Sequence, residues 1–246
     1  MEKNFTALGV TVRHSDYKDN DKLVTLFTKE YGSLDVAVRG CKKQSSPLLA
    51  LSSNLCVGEF QIYNTGSRMC VKECKIIKNF YNLAFVIEKF GVASFILNVA
   101  SKVAIQGESH NALFALCIHL LSFMEEEKIT AKNALLFFCI KCSDIYGVRP
   151  SMCFCTGCGT DVDFASFSIE EGGMLCKTCS PKYKTHRINQ AQVNLIAKVL
   201  GTKNRELSVI ENEDDYIVNL MVRYIVKNLS LPVKSVNFLK KINIIK

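Results

Sequence analysis

Cys155-x-x-Cys158 and Cys176-x-x-Cys179, with 17 residues between them, constrain this chain more than any other stretch. Each knuckle places two sulfurs on one tight turn, and two knuckles complete a tetrahedron of thiolates around a metal ion. The residues between have the composition of a short β-hairpin. Asp163-Phe164-Ala165-Ser166-Phe167-Ser168-Ile169 is strand-like, and Gly172-Gly173 marks the turn back to Met174-Leu175-Cys176. Cys155, Cys158, Cys176 and Cys179 are therefore expected to hold one Zn2+ per chain. Four sulfur ligands leave no position open for water, so the expected role is structural. Cys153 and Cys158 also make an allowed knuckle, with four residues between them; the symmetry of two equal knuckles favours Cys155. His186, seven residues beyond Cys179, is a weaker substitute ligand.

The other cysteines, Cys41, Cys56, Cys70, Cys74, Cys117, Cys139 and Cys142, sit in apolar surroundings and are expected to be small buried hydrophobes. Thiolates reserved for a metal belong in a reducing compartment, which points to the cytoplasm. The start, Met1-Glu2-Lys3-Asn4, lacks the basic-then-apolar build of a signal peptide. The best apolar stretch, Phe90 to Ile105, is broken by Asn98, Ser101 and Lys102, so no membrane span is expected.

Residues 1–80 have the pattern of five strands. Leu8, Val10 and Val12 alternate with smaller or polar residues, and Ser15 to Asp21 has the composition of a polar turn. Leu23 to Thr28 forms a second strand and Leu34 to Arg39 a third. A loop from Gly40 to about Asn54 follows, then strands near Val57–Tyr63 and Arg68–Ile77 around a turn at Asn64-Thr65-Gly66-Ser67. Five short strands suggest a closed barrel of the OB-fold type, because closure removes the sheet edges. After Asn79 the period becomes helical, with stripes through Val92–Val103, Leu113–Met124 (Asn111 as N-cap) and Leu135–Cys142. Helices resume at Val193–Leu200, ended by Gly201, and at Tyr216–Leu229 and Val236–Ile242. The expected class is α+β with four segments: an OB-fold barrel at 1–80, a helical domain at 81–150 and 183–246, and a four-cysteine zinc module inserted at 151–182.

The net charge is +8, which suits a polyanionic partner. Placement matters more than the total. Arg39, Lys42 and Lys43 fall on one loop, while Arg68, Lys72, Lys75 and Lys78 line one strand and its end. A basic loop beside a basic strand makes a groove for a phosphate backbone, with Tyr17, Phe60 and Tyr63 as candidate stacking platforms. The plainer alternative puts Phe60 in the core and the lysines in water. The run Glu125-Glu126-Glu127 reads as a solvated face. No phosphate loop, Ser-His-Asp order or carboxylate cluster stands out, so no enzyme is expected.

The chain resembles the bacterial RecO recombination-repair family along essentially its whole length. The resemblance rests on Ser15-Asp16-Tyr17 through Asp21-Lys22-Leu23, Leu26-Phe27-Thr28, Tyr31-Gly32, the Arg39-Gly40 and Lys42-Lys43 loop, the two knuckles with Glu171-Gly172-Gly173, and the tail Leu231-Pro232-Val233-Lys234-Ser235 with Phe238-Leu239. It departs from the family where Ser46-Pro47 follows the basic loop. The resemblance implies a non-enzymatic mediator in the bacterial cytoplasm and nucleoid. Such a protein binds single- and double-stranded DNA, anneals complementary strands and, with RecR, helps load RecA onto strands coated by single-strand-binding protein (SSB). It also implies phosphate contacts at Arg39, Lys42 and Lys43, and docking of the SSB tail near Lys234 and Phe238. Two other classes stay open: an adaptor for proteins with little DNA contact, and an RNA-binding zinc-ribbon protein.

Overall fold

A computed structural model describes residues 3–161, 166–232 and 234–246. It contains two compact units, one taking in the chain up to Glu125 and the other Glu126–Lys246.

The first unit is built on strands β1 (Asn4–Lys18), β2 (Asp21–Thr28), β3 (Gly32–Val38), β4 (Cys56–Asn64) and β5 (Met69–Asn79). They close into a barrel in the order β1-β2-β3-β5-β4. All neighbours run antiparallel except β3 and β5, which pair in parallel through Val36–Met69 and Ala37–Cys70. Along β1, Phe5 and Ala7 point into the barrel with Val24, Leu26, Leu34, Val36, Phe60 and Ile62. The opposite face is covered too. Val10 lies across from Phe27, whose ring meets Phe114 with centroids 5.6 Å apart.

The polar turn expected over Ser15–Asp21 is mostly strand. Arg13 to Lys18 are exposed, yet β1 and β2 stay paired to Lys18–Asp21 and the turn is only Asp19-Asn20. Their polarity marks a face open to water, and the cross-strand ladder still satisfies the backbone. The loop after β3 is not a free flap. Cys41, Leu48 and Leu51 are buried in the barrel's own core cluster and plug one end. Burial of each larger side chain there stabilises the closure by about 1.5–3 kcal/mol.

Helices α1 (Ile87–Val103) and α2 (Asn111–Glu125) complete this unit. Gly32, at φ +65°, turns the chain against Ile105, whose carbonyl oxygen would lie 2.1 Å from any added Cβ. Only glycine tolerates both the left-handed backbone and that approach. Asn111 is the first residue of α2 itself and not a residue preceding it. Glu125 is no solvated acid either: its carboxylate pairs with Lys78 at 3.0 Å.

The second unit centres on α3 (Ala131–Ile145), which is buried on nearly every face from Ala131 to Ser143. A helix apolar all round belongs in an interior, and α4 (Gln190–Gly201) and α5 (Asp215–Asn228) pack on it. Thr130, Asn189 and Asp214 cap the three N-termini with side-chain oxygens. Gly201 does not end α4 as a cap; Thr202 takes that place. Buried Lys141 of α3 donates to the carbonyls of Leu200 (2.8 Å) and Thr202 (2.6 Å), satisfying groups the helix end leaves open. The short helix α6 (Lys234–Lys241) follows. No described helix is long and apolar enough to cross a membrane.

Candidate metal centre and candidate nucleic-acid interface

The inserted module is a two-stranded sheet, β6 (Ser166–Ser168) with β7 (Gly173–Leu175). The expected first strand also takes in Asp163, Phe164 and Ala165, which lie outside the described residues. The module packs inward on α5. Phe167 is fully buried 5.5 Å from the Tyr224 ring, the Tyr224 hydroxyl donates to the carbonyls of Val148 (3.0 Å) and Gly172 (3.3 Å), and the Asn228 amide donates to Ile169 (3.1 Å).

At its end the sulfurs of Cys155, Cys158, Cys176 and Cys179 lie within 4.8 Å of one another. The Cys158 and Cys176 sulfurs are 3.8 Å apart. A tetrahedron with metal–sulfur bonds of about 2.3 Å has edges of about 3.8 Å, so the donor set fits a soft tetrahedral cation. Gly157 makes the first knuckle possible, because a Cβ there would meet Cys179 Cβ and Sγ at 3.2 Å. The Cys176 amide donates to Cys155 Sγ at 3.3 Å. That bond, helped by the amides of Gly157 and Cys158, draws the Cys155 thiol down to about 6, whereas hydrogen bonding to Cys158 and Cys176 pushes Cys179 up to about 12. Four clustered thiols cannot share so much negative charge alone; a divalent ion reverses that balance. The four cysteines can thus hold a metal ion. Cys153 is exposed and outside the cluster. His186 is outside it as well, its backbone paired with Phe167 in both directions.

The remaining thiols behave as hydrophobes. Cys41, Cys56, Cys70, Cys117, Cys139 and Cys142 are buried and Cys74 is half-buried. Burial pushes Cys56 to about 11 and Cys74 and Cys142 to about 12.

Five basic residues of the barrel fall into two groups. Arg39, Lys72 and Lys75 line one cleft of about 500 Å3, walled by Ser46, Pro47 and Leu48 of the plug loop and by strands β4 and β5. Glu59 and Glu73 line it too, so three cations face two carboxylates. A smaller hollow of about 240 Å3 adjoins it at Gln61 and Lys72 and reaches Tyr63. The Tyr63 hydroxyl is held above the usual phenol range, first by its hydrogen bond with Cys70, while Arg39 pulls it the other way.

The second group meets the tip of the β1–β2 hairpin. Lys42 pairs with Asp16 at 2.9 Å, and that hydrogen bond holds the Asp16 carboxyl below the ordinary range. Arg68 lies over the Tyr17 ring, 4.4 Å from its centre. Lys43 is exposed, and Lys78 is taken up by Glu125 and the Phe80 ring. Phe60 is no stacking platform: it is fully buried in the barrel core, because on β4 it pairs with Ala7 of β1 and both side chains point into the interior.

A third feature is lined by residues that the sequence does not single out as site residues. In the second unit, Val222, Val226, Leu231, Val236 and Ile245 form the apolar floor of a groove of about 550 Å3. Arg223, Lys227 and Lys240 stand on its rim. The signal was in the sequence: Arg223/Lys227 and Val222/Val226 are i,i+4 pairs, as are Val236/Lys240 on α6. Phe238 is 41% exposed and does not line this groove. Lys234 opens α6, and its side chain lies outside the described residues.

A closed five-stranded barrel, followed by helices that carry a four-cysteine insertion, defines an OB-fold protein of mixed α+β class with a candidate metal centre in its second half. The comparisons name the family. Residues 1–80 match "Recombination protein O N terminal" and residues 84–236 match "Recombination protein O C terminal". The chain is 24% identical over 242 residues to the DNA repair protein RecO of Caldanaerobacter subterraneus subsp. tengcongensis, covering 96% of this chain and 97% of that one. It is 28% identical over 172 residues to the RecO of Alkaliphilus metalliredigens (70% of each chain), and 31% identical over 169 residues to that of Bacillus mycoides (68% of this chain, 67% of that one). The chain belongs to the RecO family of DNA repair and recombination proteins.

Proposed function

We propose that this chain is a non-enzymatic mediator that binds single- and double-stranded DNA, anneals complementary strands and, with RecR, helps load RecA onto SSB-coated DNA. The observation that carries the DNA-binding part is the convergence of Arg39, Lys72 and Lys75 on one cleft of the barrel. Annealing needs no bond chemistry: cations lower the repulsion between strands, and backbone contacts leave base edges free to pair. On this reading residues 1–80 are the DNA-binding domain, 81–150 and 183–246 the helical domain, and 151–182 the module. The ion is zinc, one per chain, held by Cys155, Cys158, Cys176 and Cys179. When bound it cross-links the two knuckles and supplies no reactive position. Lys42, Lys43 and Arg68 extend the DNA-binding surface toward the hairpin tip, and the protein works in the cytoplasm at the nucleoid.

The groove beside α6 supports an SSB-tail site. An acidic tail with apolar side chains finds a cationic rim for steering and an apolar floor for holding. On this reading the contacts of α6 are Val236 and Lys240, with Lys234 and Phe238 at the same helix. The experiment is strand pairing. Complementary strands coated with SSB should pair faster with the purified chain and without nucleotide, and Arg223→Ala/Lys240→Ala should slow this more than it slows pairing of bare strands. No acceleration with either substrate would remove the mediator role and leave an adaptor that acts through the groove alone.

A further inference from the structure

Arg68 spends its guanidinium on an aromatic ring. Its Cζ lies 4.4 Å from the centre of Tyr17, and its Nη1 is buried with no hydrogen-bond acceptor. A surface arginine usually satisfies its donors in water or on a carboxylate, so this placement favours the ring over a hydrogen bond. Tyr17 as a residue is nevertheless 43% exposed. Lys18 adds a second cation 5.5 Å from the same centre.

Both partners are held in place. Tyr17 falls at a register shift between Asp16 and Lys18, and a bulge re-aims its side chain relative to the pleat. The hairpin that carries it is tied down by Lys42 on Asp16 and by the Gly40 amide, which donates to Asp21 Oδ1 at 2.9 Å. Arg68 leaves a turn closed on itself: the Thr65 amide donates to the Arg68 carbonyl at 2.9 Å, and the Arg68 amide donates to Thr65 Oγ1 at 3.1 Å. The pair therefore joins the β1–β2 and β4–β5 hairpins, with cations beside a partly exposed aromatic side chain.

We propose that Tyr17, backed by Arg68, is a stacking step for one unpaired base of a single strand. The inference rests on the DNA-binding reading above and adds a strand preference to it. A base inside a duplex is covered on both faces by its neighbours, and only an unpaired or splayed base can offer a face to the ring. Cations near the ring suit the adjoining phosphates, and stacking of this kind is indifferent to base identity.

The test is equilibrium binding of a fluorescent single-stranded oligonucleotide and of its duplex at fixed salt, with the full chain and its metal retained. Tyr17→Leu keeps an apolar side chain but removes the ring. It should weaken single-strand binding by about 5- to 150-fold. The ratio of single-strand to duplex affinity should fall, while the dependence of single-strand binding on salt keeps its slope, since every phosphate keeps its cation. Tyr17→Trp should restore or exceed the parent affinity, which a merely structural residue would not do. Equal single-strand affinity for the parent and Tyr17→Leu, or an equal loss on both substrates, overturns the stacking step alone. A parent chain that binds neither substrate overturns the DNA-binding reading together with it.

Discussion

The metal centre and the barrel cleft solve the problem of charge in opposite ways. At the knuckles four acidic groups crowd within 4.8 Å; backbone amides draw Cys155 down to about 6, while hydrogen bonding to its neighbouring thiols pushes Cys179 up to about 12. Such a site is incomplete without a cation and has one geometry. The cleft holds Arg39, Lys72 and Lys75 opposite Glu59 and Glu73, all at the surface. It tolerates water and many positions of a ligand. The first arrangement is suited to bracing a fold, the second to a partner that must slide and be exchanged.

Removing the metal should separate the two most sharply. A structural zinc contributes folding free energy of about 10–16 kcal/mol in isolated modules. Chelation, Cys158→Ser or Cys176→Ser should therefore open the described module to proteolysis and release about one metal per chain, read by elemental analysis. Barrel binding to DNA should keep its salt dependence. Module order that survives metal loss would break the comparison.

Next in size are the side chains that seat the second unit. Tyr224→Phe removes the donor shared by Val148 and Gly172, and Lys141→Met removes the donor to Leu200 and Thr202. The first leaves the Val148 carbonyl without its side-chain donor, while Gly172 keeps the Ser151 amide, and the second strips the donor from Leu200 and Thr202; each should cost about 1–3 kcal/mol in denaturant unfolding. Unchanged midpoints would mean that water replaces both donors.

The smallest expected effect is a pH slope. Burial, with Arg223 adding to it, holds the His186 imidazole below its ordinary 6.5, and Nε2 is buried without a partner. The folded chain binds that proton less tightly than the unfolded chain. Above about pH 6.5 neither state is protonated and the group is neutral to stability; as pH falls below it, protonation favours the unfolded state. His186→Gln should therefore gain on the parent in thermal stability only on the acid side. Parallel pH profiles for the two proteins would contradict this.

What the sequence discloses depends on how local the constellation is. The knuckles are complete within 25 residues, so spacing alone places all four sulfurs. Strand alternation likewise marks Phe60 as core once its neighbours are counted. The cleft is different. Its basic wall depends on the parallel pairing of β3 with β5, which brings the end of one strand beside another some 30 residues away, and no local period encodes that. Burial of Cys41 is expected, but Leu48 and Leu51 sit in a stretch with the look of a loop, because what makes them core is the barrel interior they help fill. Ser15 to Lys18 mislead for a related reason: exposure on a two-stranded ribbon has the composition of a turn. Lys141 is hidden inside an apolar stripe, where only the arrival of the α4 C-terminus explains a buried ammonium.

The most direct measurement is the salt dependence of single-strand binding for the parent and for Arg39→Ala/Lys72→Ala/Lys75→Ala, both with metal bound. The log–log slope should flatten by about 0.7 for each phosphate no longer neutralised, so by about 2 in the triple variant. A triple variant whose slope matches the parent would show that the cleft does not face the phosphates.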